Sequence, residues 1–577
     1  MKSKKIKLMS VITASALLLS GCSSILDSSY LGYKKNEIKY GKGVTKQFDN
    51  AIENGNIEWL EEILTEYPDF DINYCGNIMR EYMQAGNYQH ETLQIVTSYG
   101  MLSTEKRQDM LDFLLRKGLD PDLRYSNKSY ALEDCCGTVL AETLIKNGAN
   151  QNIKNDSVLT KIIYDISDCS IDLYINSGAE LTSELFERIY NNNTPLNPVA
   201  FQYAYKKYIE NGGKTSFSKA EEYAVLGEND KLLELLSSEQ FNNSQLEVIS
   251  YFTYCFGNKM IIDALNDKYS NYNLIVPKIN TITLIGNTDT FKYLYDNRKN
   301  GEYNDEFLFY LAVKKNHKDI IDFLIKKDVP IEKRLASALY ESGDMSTVRK
   351  ICEYMKRKSM LDEHFFYNFE CPMTMNAFTK EFIDYLMDEL NLSLQQLSLK
   401  NTDFLTAKYL FDKGRPLSGT DLENAVYKND ADMVNLVLQK GANPNQPKLA
   451  NYYSTIYSGS EDSFDRLLVP YDNIINSVEE YITTNNDFDN CWYDAIAYGN
   501  SEIVQQIIDS GLELDNDKLL YYAIKYGSFA TFNALYQAGA SMEYYSDLGQ
   551  ETLVDLAKSM GRDDIVKILK DAGVKVY

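Results

Sequence analysis

The residue types that usually carry out catalysis are few in this chain and follow no catalytic spacing. Among 577 residues there are three histidines, and neither an H-E-x-x-H zinc motif nor a G-x-S-x-G nucleophile turn occurs. The nearest phosphate-loop fragment begins at Gly212, but Tyr208 stands where the first glycine of that loop belongs. We therefore expect Gly212 to end a helix, and we predict no catalytic residue, no metal site and no cofactor.

The acidic side chains are numerous, but no two of them stand out as a general acid and base. Glu61-Glu62 and Asp563-Asp564 are expected on the solvent face or in the first turn of helices, where a carboxylate complements the helix dipole. The chain carries 83 acidic against 59 basic residues, and its net charge of -24 repels nucleic acid and favours a basic partner. A hydrolase or transferase within residues 75–200 is the enzymatic alternative.

One cysteine has a setting that predicts a covalent modification. Residues 2–7 are basic, an apolar stretch runs from Leu8 to Leu19, and Leu19-Ser20-Gly21-Cys22 follows. This order resembles a bacterial lipoprotein signal peptide, which implies removal of residues 1–21 and attachment of a diacylglycerol to Cys22. The alternative is an ordinary secreted protein with a cysteine at this point by chance.

A lipid on Cys22 would anchor the protein to a membrane of the bacterial cell envelope. Residues 22–47 would form the lipidated N-terminus and tether. Ser23 is not the aspartate that retains lipoproteins in the inner membrane of enterobacteria, so the outer membrane or the cell surface is favoured. Apart from the adjacent Cys135-Cys136, the other cysteines are widely spaced, and none forms a C-x-x-C pair, so we expect small, buried, apolar side chains.

The body of the chain carries a repeat in which small and apolar residues recur every four positions. The clearest copy reads Ala495, Gly499, Ile503, Ile507 and Gly511. The small residue lets two helices approach, Gly or Asn ends the first helix in a left-handed turn, and apolar residues line a second helix. Other copies begin at Ala51, Ala312, Ala425, Ala523 and Ala557, and weaker ones at Leu132, Ala200, Ala224, Thr253, Thr283 and Thr455. The pattern predicts helical hairpins that stack, because one hairpin cannot bury its own apolar face.

These copies resemble the ankyrin repeat. The resemblance rests on the alanine and mid-unit glycine, on pairs such as Ile503-Val504, and on Gly441-Ala442-Asn443 in an exposed finger. It implies an all-α, ankyrin-type helical-hairpin solenoid of roughly sixteen stacked repeats over residues 48–577. His317, after Asn316, would then form a hydrogen bond between repeats. Many units are shorter than the usual repeat of about 33 residues, and an unrelated helical-hairpin solenoid is the alternative.

Tyrosine is the one residue type whose placement suggests a binding surface. The chain has 45 tyrosines, and some of them lie two or three residues after the repeat alanine, where ankyrin proteins face their concave groove. The candidate partner-binding face comprises Tyr427, Tyr457, Tyr498 and Tyr526. Tyrosine offers a large contact area with few rotatable bonds and is enriched at binding hot spots. The alternatives are a composition generally rich in tyrosine and tyrosines that fill gaps between stacked helices.

The sequence therefore predicts a monomeric, membrane-anchored ankyrin repeat lipoprotein that binds another protein at the bacterial cell envelope and is not an enzyme. An immunity-type inhibitor of a toxin is one alternative function. A structural spacer or adhesin is another.

Overall fold

Helices joined by short turns make up the part of the chain that the structure, a computed structural model, describes. Within that part an isolated bridge pairs Met373 with Thr402, and no residue is assigned to a β-strand. The predicted all-α class is therefore confirmed. The described residues are 36–73, 104–122, 131–135, 139–152, 157–165, 171–191, 194–272, 274–298, 304–331, 335–361, 365, 369, 371–395, 397–445, 490–544 and 552–574.

The α-helices have the following bounds. They are α1 (Lys42–Glu53), α2 (Ile57–Glu66), α3 (Thr104–Arg116), α4 (Ala131–Asp134), α5 (Val139–Lys146), α6 (Ser157–Thr160), α7 (Asp172–Asn176), α8 (Ser183–Glu187), α9 (Pro198–Glu210), α10 (Lys219–Leu226), α11 (Asn229–Ser238), α12 (Asn243–Phe256), α13 (Lys259–Lys268), α14 (Ile279–Ile285), α15 (Thr288–Asp296), α16 (Asp305–Lys314), α17 (Lys318–Lys326), α18 (Leu335–Glu341), α19 (Met345–Arg357), α20 (Ala377–Asp384), α21 (Phe404–Asp412), α22 (Asp421–Lys428), α23 (Ala431–Gln439), α24 (Cys491–Tyr498), α25 (Ser501–Asp509), α26 (Leu519–Tyr526), α27 (Phe529–Ala538), α28 (Leu553–Ser559) and α29 (Asp563–Asp571). Short π-helices (Lys161–Asp165, Tyr385–Glu389) and 3-10 helices (Arg188–Asn191, Leu399–Asn401) accompany them.

The described helices belong to two compact units. Unit 1 takes the described residues of Met1–Cys135, Ile496–Ser501 and Leu514–Tyr577. Unit 2 takes those of Cys136–Ala495 and Glu502–Glu513. Unit 1 therefore contains both the first and the last of the described helical hairpins.

The most regular part of unit 2 is the run of hairpins from α10 to α17. Each first helix packs on the next first helix and each second helix on the next second helix, so the hairpins stack in chain order. The predicted turns are present, since Gly286 and Asn316 end first helices with φ of 85° and 55°. The second helices bury apolar residues four positions apart, as in Ile320 and Leu324. The helical-hairpin repeat predicted from the sequence is confirmed for this run.

Polar side chains at the start of second helices join neighbouring hairpins. Asn287 caps α15 and donates its side-chain amide to the carbonyl oxygens of Cys255 (3.1 Å) and Gly257 (2.8 Å). His317 Nε2 lies 3.0 Å from the carbonyl oxygen of Leu284, so the predicted hydrogen bond between repeats is confirmed. A Cβ atom on Gly286 would lie 2.4 Å from the His317 ring, so only glycine leaves room for it.

Several details of the predicted repeat are wrong. The copy assigned to Ala200 is out of phase, because α9 continues through Ala204 without a turn. Gly212 follows the end of α9 with φ of 83°, which confirms its predicted place at a helix end. Gly527 ends α26 in an extended conformation (φ -84°) instead of the left-handed one. Glycine is needed there for another reason, since a Cβ atom would lie 2.9 Å from the Ala523 carbonyl oxygen.

Two loops of unit 2 that lie far apart in the chain are in direct contact. Asn445 donates to the Gly511 carbonyl oxygen and accepts from the Glu513 amide, both at 2.9 Å. The copy predicted at Thr455 lies outside the described residues. At the other end, α1 begins at Lys42, inside the segment 22–47 predicted to be the tether.

The described cysteines are buried, as predicted. They are Cys135, Cys255, Cys352, Cys371 and Cys491. Burial raises the pKa of the Cys352 thiol to about 12, so it stays protonated and is a poor nucleophile. No described helix has the length and apolar character needed to cross a bilayer.

Candidate partner-binding site

The structure places three of the four predicted tyrosines on the surface of first helices. Tyr427, Tyr498 and Tyr526 are each half-buried, as a side chain that both packs and contacts a partner would be. Tyr427 belongs to unit 2, and Tyr498 and Tyr526 belong to unit 1. Tyr457 and the predicted lipidation site Cys22 lie outside the described residues.

A lysine of the same chain covers each of the described rings. Lys400 Nζ lies 4.5 Å from the ring centroid of Tyr427. The corresponding distance is 5.0 Å for Lys525 and Tyr526, and Lys106 lies over Tyr498. These rings therefore already attract ammonium groups through their π faces, and a partner must share or displace the lysines.

A second candidate surface is formed where the first hairpin, α1 and α2, packs on the C-terminal hairpins of unit 1. Gln47 Nε2 donates to the Met560 carbonyl oxygen at 3.0 Å. Asn56 Nδ2 donates to the Tyr526 carbonyl oxygen at 3.2 Å. We call this contact the terminal junction, because its two sides lie hundreds of residues apart in the chain.

Two glutamates of α2 bind main-chain and hydroxyl groups across the terminal junction. The Glu62 carboxylate accepts from the amides of Phe529 (2.8 Å) and Ala530 (3.1 Å), which begin α27, where the helix dipole favours a negative charge. Glu58 accepts from the Ser501 amide (2.8 Å) and from the Ser528 hydroxyl (3.1 Å). Burial nevertheless raises the pKa of Glu62, and the two amide hydrogen bonds only partly oppose that rise.

A buried arginine completes the terminal junction. Arg562 is 3% exposed and donates to the Gly527 carbonyl oxygen at 2.6 Å. Its guanidinium lies 5.1 Å from the ring of Trp59, which is 1% exposed. Desolvation lowers the pKa of Arg562, while the charges of Asp564 and Glu62 oppose the shift and favour its charged form.

Three glycines, Gly43, Gly499 and Gly561, allow close contacts across the terminal junction. A Cβ atom on Gly43 would lie 3.0 Å from the Cα atom of Gly561. A Cβ atom on Gly499 would lie 1.9 Å from Asn56 Nδ2. The two sides of the junction therefore approach more closely than larger side chains would allow.

A cleft of about 650 Å³ opens at the terminal junction. Six carboxylates line it, together with Trp59, Tyr67, Phe529 and the guanidinium of Arg562. Four of the acids, Glu61, Glu66, Asp563 and Asp564, are exposed, whereas Glu58 and Glu62 are partly buried. Burial and the negative charges of Glu66, Asp563 and Asp564 raise the pKa of Tyr67 to about 12, which shows that these carboxylates lie near one phenol. We call this feature the acidic cleft.

The chemistry of the acidic cleft suits cationic groups on a flexible ligand. Glu61 forms an exposed ion pair with Lys117 at 3.4 Å. In the described part of the chain, no cluster of three or more His, Cys, Asp or Glu side chains is placed to hold a metal ion. Carboxylates beside the rings of Tyr67 and Phe529 can bind the ammonium and guanidinium groups of lysine and arginine side chains.

The acidic pairs are evident from the sequence, whereas the cleft is not. Asp563 and Asp564 lie in the first turn of α29, as predicted. The prediction is wrong for Glu62, which is half-buried because its carboxylate contacts the start of α27. The signal available was the spacing Glu58, Glu62 and Glu66, which puts three carboxylates on one face of α2.

A smaller, polar groove crosses three consecutive hairpins of unit 2. It has a volume of about 560 Å³ and is lined by the turns at 226–229, 255–258 and 285–289. Its polar groups already serve the hairpin stack, as the amide of Asn287 does. We therefore regard the acidic cleft as the stronger candidate site.

Comparison with known proteins gives no further assignment. No protein-family model matches the chain, and no curated protein sequence matches it significantly.

Proposed function

We propose that the protein is a lipid-anchored binding module of the bacterial cell envelope, built from degenerate ankyrin-type repeats, that binds a basic polypeptide segment of a partner protein. The acidic cleft is the observation that carries this proposal. Its six carboxylates face a single guanidinium, that of Arg562, so the site is complementary to an excess of positive charge.

The exposed acids provide most of the recognition in this proposal. An exposed ion pair contributes about 0.2–1 kcal/mol, so four of them together contribute about 0.8–4 kcal/mol, a preference of roughly one to three orders of magnitude. The half-buried Tyr67 and Phe529 add aromatic contact area for the aliphatic parts of lysine and arginine. Binding should weaken as salt screens the charges.

The test uses the full-length chain in detergent, immobilised and exposed to envelope extract at low and high salt. A four-acid variant carries Glu61→Gln, Glu66→Gln, Asp563→Asn and Asp564→Asn. A matched control neutralises four exposed acids elsewhere, with Glu239→Gln, Asp515→Asn, Asp517→Asn and Asp571→Asn.

The expected result is one basic protein, bound in a fixed ratio by the wild type and by the control variant and at least about tenfold more weakly by the four-acid variant. Equal binding by all three chains would exclude the acidic cleft. The identity of the bound protein distinguishes a toxin inhibitor from a general interaction module, and binding to host matrix alone would favour an adhesin.

The anchor is tested separately. Replacement of Cys22 by serine should abolish incorporation of labelled fatty acid and release the protein from the membrane fraction. Unchanged membrane association of that variant would remove the lipoprotein part of the proposal.

A further inference from the structure

The acidic cleft has walls from opposite ends of the chain. One wall is α2, with Glu61 and Glu66, and the other is the start of α29, with Asp563 and Asp564. The cleft therefore exists only while the first hairpin is docked on the C-terminal hairpins. Undocking would separate the two halves of the site.

Attractive and repulsive interactions oppose each other at this contact. Docking is favoured by the hydrogen bonds of Gln47, Asn56, Glu58 and Glu62 and by the packing of Trp59 beneath Arg562. It is opposed by the exposed carboxylates on the two walls, which carry the same charge. Tyr67 reports this proximity, because acids from both walls raise its pKa.

Resting on the proposed function, we propose that binding of a basic segment and docking of the first hairpin are coupled. A ligand that bridges the carboxylates of α2 and α29 binds only the docked state, so it shifts the chain toward that state. The same basic partner thereby holds the two ends of the chain together. In its absence, repulsion across the cleft makes docking weaker at low salt than at high salt.

The coupling is measured by hydrogen exchange of the Phe529 and Ala530 amides, which are protected by Glu62 only in the docked state. The ligand probe is a lysine decamer, whose binding to the full-length chain is measured separately by fluorescence anisotropy. At ten times its dissociation constant the decamer should slow exchange at these amides by about tenfold. Amides of α15 in unit 2 serve as the internal reference.

The four-acid variant gives the sharper result. Loss of repulsion should slow exchange at Phe529 and Ala530 without any ligand, and added decamer or salt should change it no further. The control variant should behave as the wild type does. A variant that is less protected than the wild type would overturn the inference, because the exposed acids would then favour docking.

The two proposals fail in different ways. If the decamer binds but exchange at Phe529 and Ala530 is unchanged, the coupling is wrong and the binding function stands. If the decamer does not bind, both are wrong. Replacing Asn56 by alanine weakens docking from outside the cleft, so it should reduce decamer affinity although every cleft acid remains. Unchanged affinity, with helicity retained by circular dichroism, would also contradict the coupling.

Discussion

The same kind of hydrogen bond occurs within the regular hairpins of unit 2 and within the terminal junction of unit 1. It spans very different distances along the chain in the two places. In unit 2, His317 reaches the carbonyl oxygen of Leu284, 33 residues earlier, from the start of a second helix. In unit 1, Asn56 occupies the same position in its hairpin and reaches the carbonyl oxygen of Tyr526, 470 residues away. The carbonyl group in both cases lies at the end of a first helix.

The comparison shows that hairpin stacking is not tied to chain order. A polar side chain at the turn satisfies carbonyl groups that the end of any first helix leaves without a partner. The apolar face of the hairpin supplies the remaining affinity. The first hairpin therefore uses the C-terminal hairpins as neighbours although they lie hundreds of residues away in the chain.

The largest expected effect on the free energy of unfolding concerns Arg415, which is buried in unit 2 as Arg562 is in unit 1. Arg415 of unit 2 forms a fully buried, bidentate ion pair with Asp421 at 2.8 and 3.0 Å, and its other donors reach main-chain carbonyl groups. Arg415→Met should lower the free energy of unfolding by about 3–5 kcal/mol, because it leaves the Asp421 charge buried and uncompensated. Denaturant unfolding measures this, and adding Asp421→Leu to the same chain should restore most of the loss.

A smaller effect is expected for Arg562 of unit 1. No ion pair of this arginine is found in the described part of unit 1. Arg562→Met therefore leaves main-chain carbonyl oxygens without a hydrogen-bond donor, but it leaves no carboxylate without an ion-pair partner. We expect a loss of about 2 kcal/mol, seen as faster hydrogen exchange in α2 and α27. A loss as large as that of Arg415→Met would show that Arg562 compensates Glu62 directly.

Gly499 and Gly511 both have a left-handed backbone conformation but differ in their surroundings. Gly499 and Gly511 have φ of 66° and 101°, so alanine costs about 1 kcal/mol at either position. At Gly499 the added methyl group also collides with Asn56, whereas the space at Gly511 is open. Gly499→Ala should therefore destabilise the chain by about 1 kcal/mol more and raise exchange in α2. Equal losses of stability would contradict the contact with Asn56.

Within the regular run, single hydrogen bonds between hairpins should have modest and local effects. His317→Ala removes one bond to Leu284 and should cost about 1 kcal/mol, measured by thermal unfolding. Exchange should rise in α14 and α17 while the amides of α27 stay unchanged. A simultaneous change in α27 would mean that the two regions do not respond independently.

The smallest expected effect is a pH dependence at the terminal junction. Burial raises the pKa of Glu62 above its ordinary value of 4.5, so the folded chain binds this proton more tightly than the unfolded chain does. The resulting stabilisation is complete below pH 4.5 and is lost as the pH rises through the raised pKa. Glu62→Gln should remove this component from the stability profile. A profile unchanged by the substitution would assign the pH dependence to other groups.

The sequence was informative where a structural feature repeats and uninformative where it occurs once. The ladder of small residues predicted the hairpins and the position of Gly212 at a helix end, since both follow from the period of a helix and its cap. The hydrogen bond of His317 was predicted from the resemblance to the ankyrin repeat. Docking of the first hairpin has no such signal, because the partners of Asn56 and Glu62 are main-chain groups whose positions depend on the complete fold. The acidic cleft was hidden for the same reason, as Glu66 and Asp563 become neighbours only through that contact.

The substitution Gly43→Leu tests the terminal junction most directly. A Cβ atom on Gly43 would lie 3.0 Å from the Cα atom of Gly561, so a leucine side chain collides with the backbone of the docked C-terminal hairpins. We predict that the Phe529 and Ala530 amides, which Glu62 binds in the docked state, exchange their hydrogens about tenfold faster in this variant than in the wild type. The matched control Lys46→Leu, at an exposed position of α1, should leave this exchange unchanged. Equal exchange at these amides in the wild type and in Gly43→Leu would contradict docking of the first hairpin on the C-terminal hairpins.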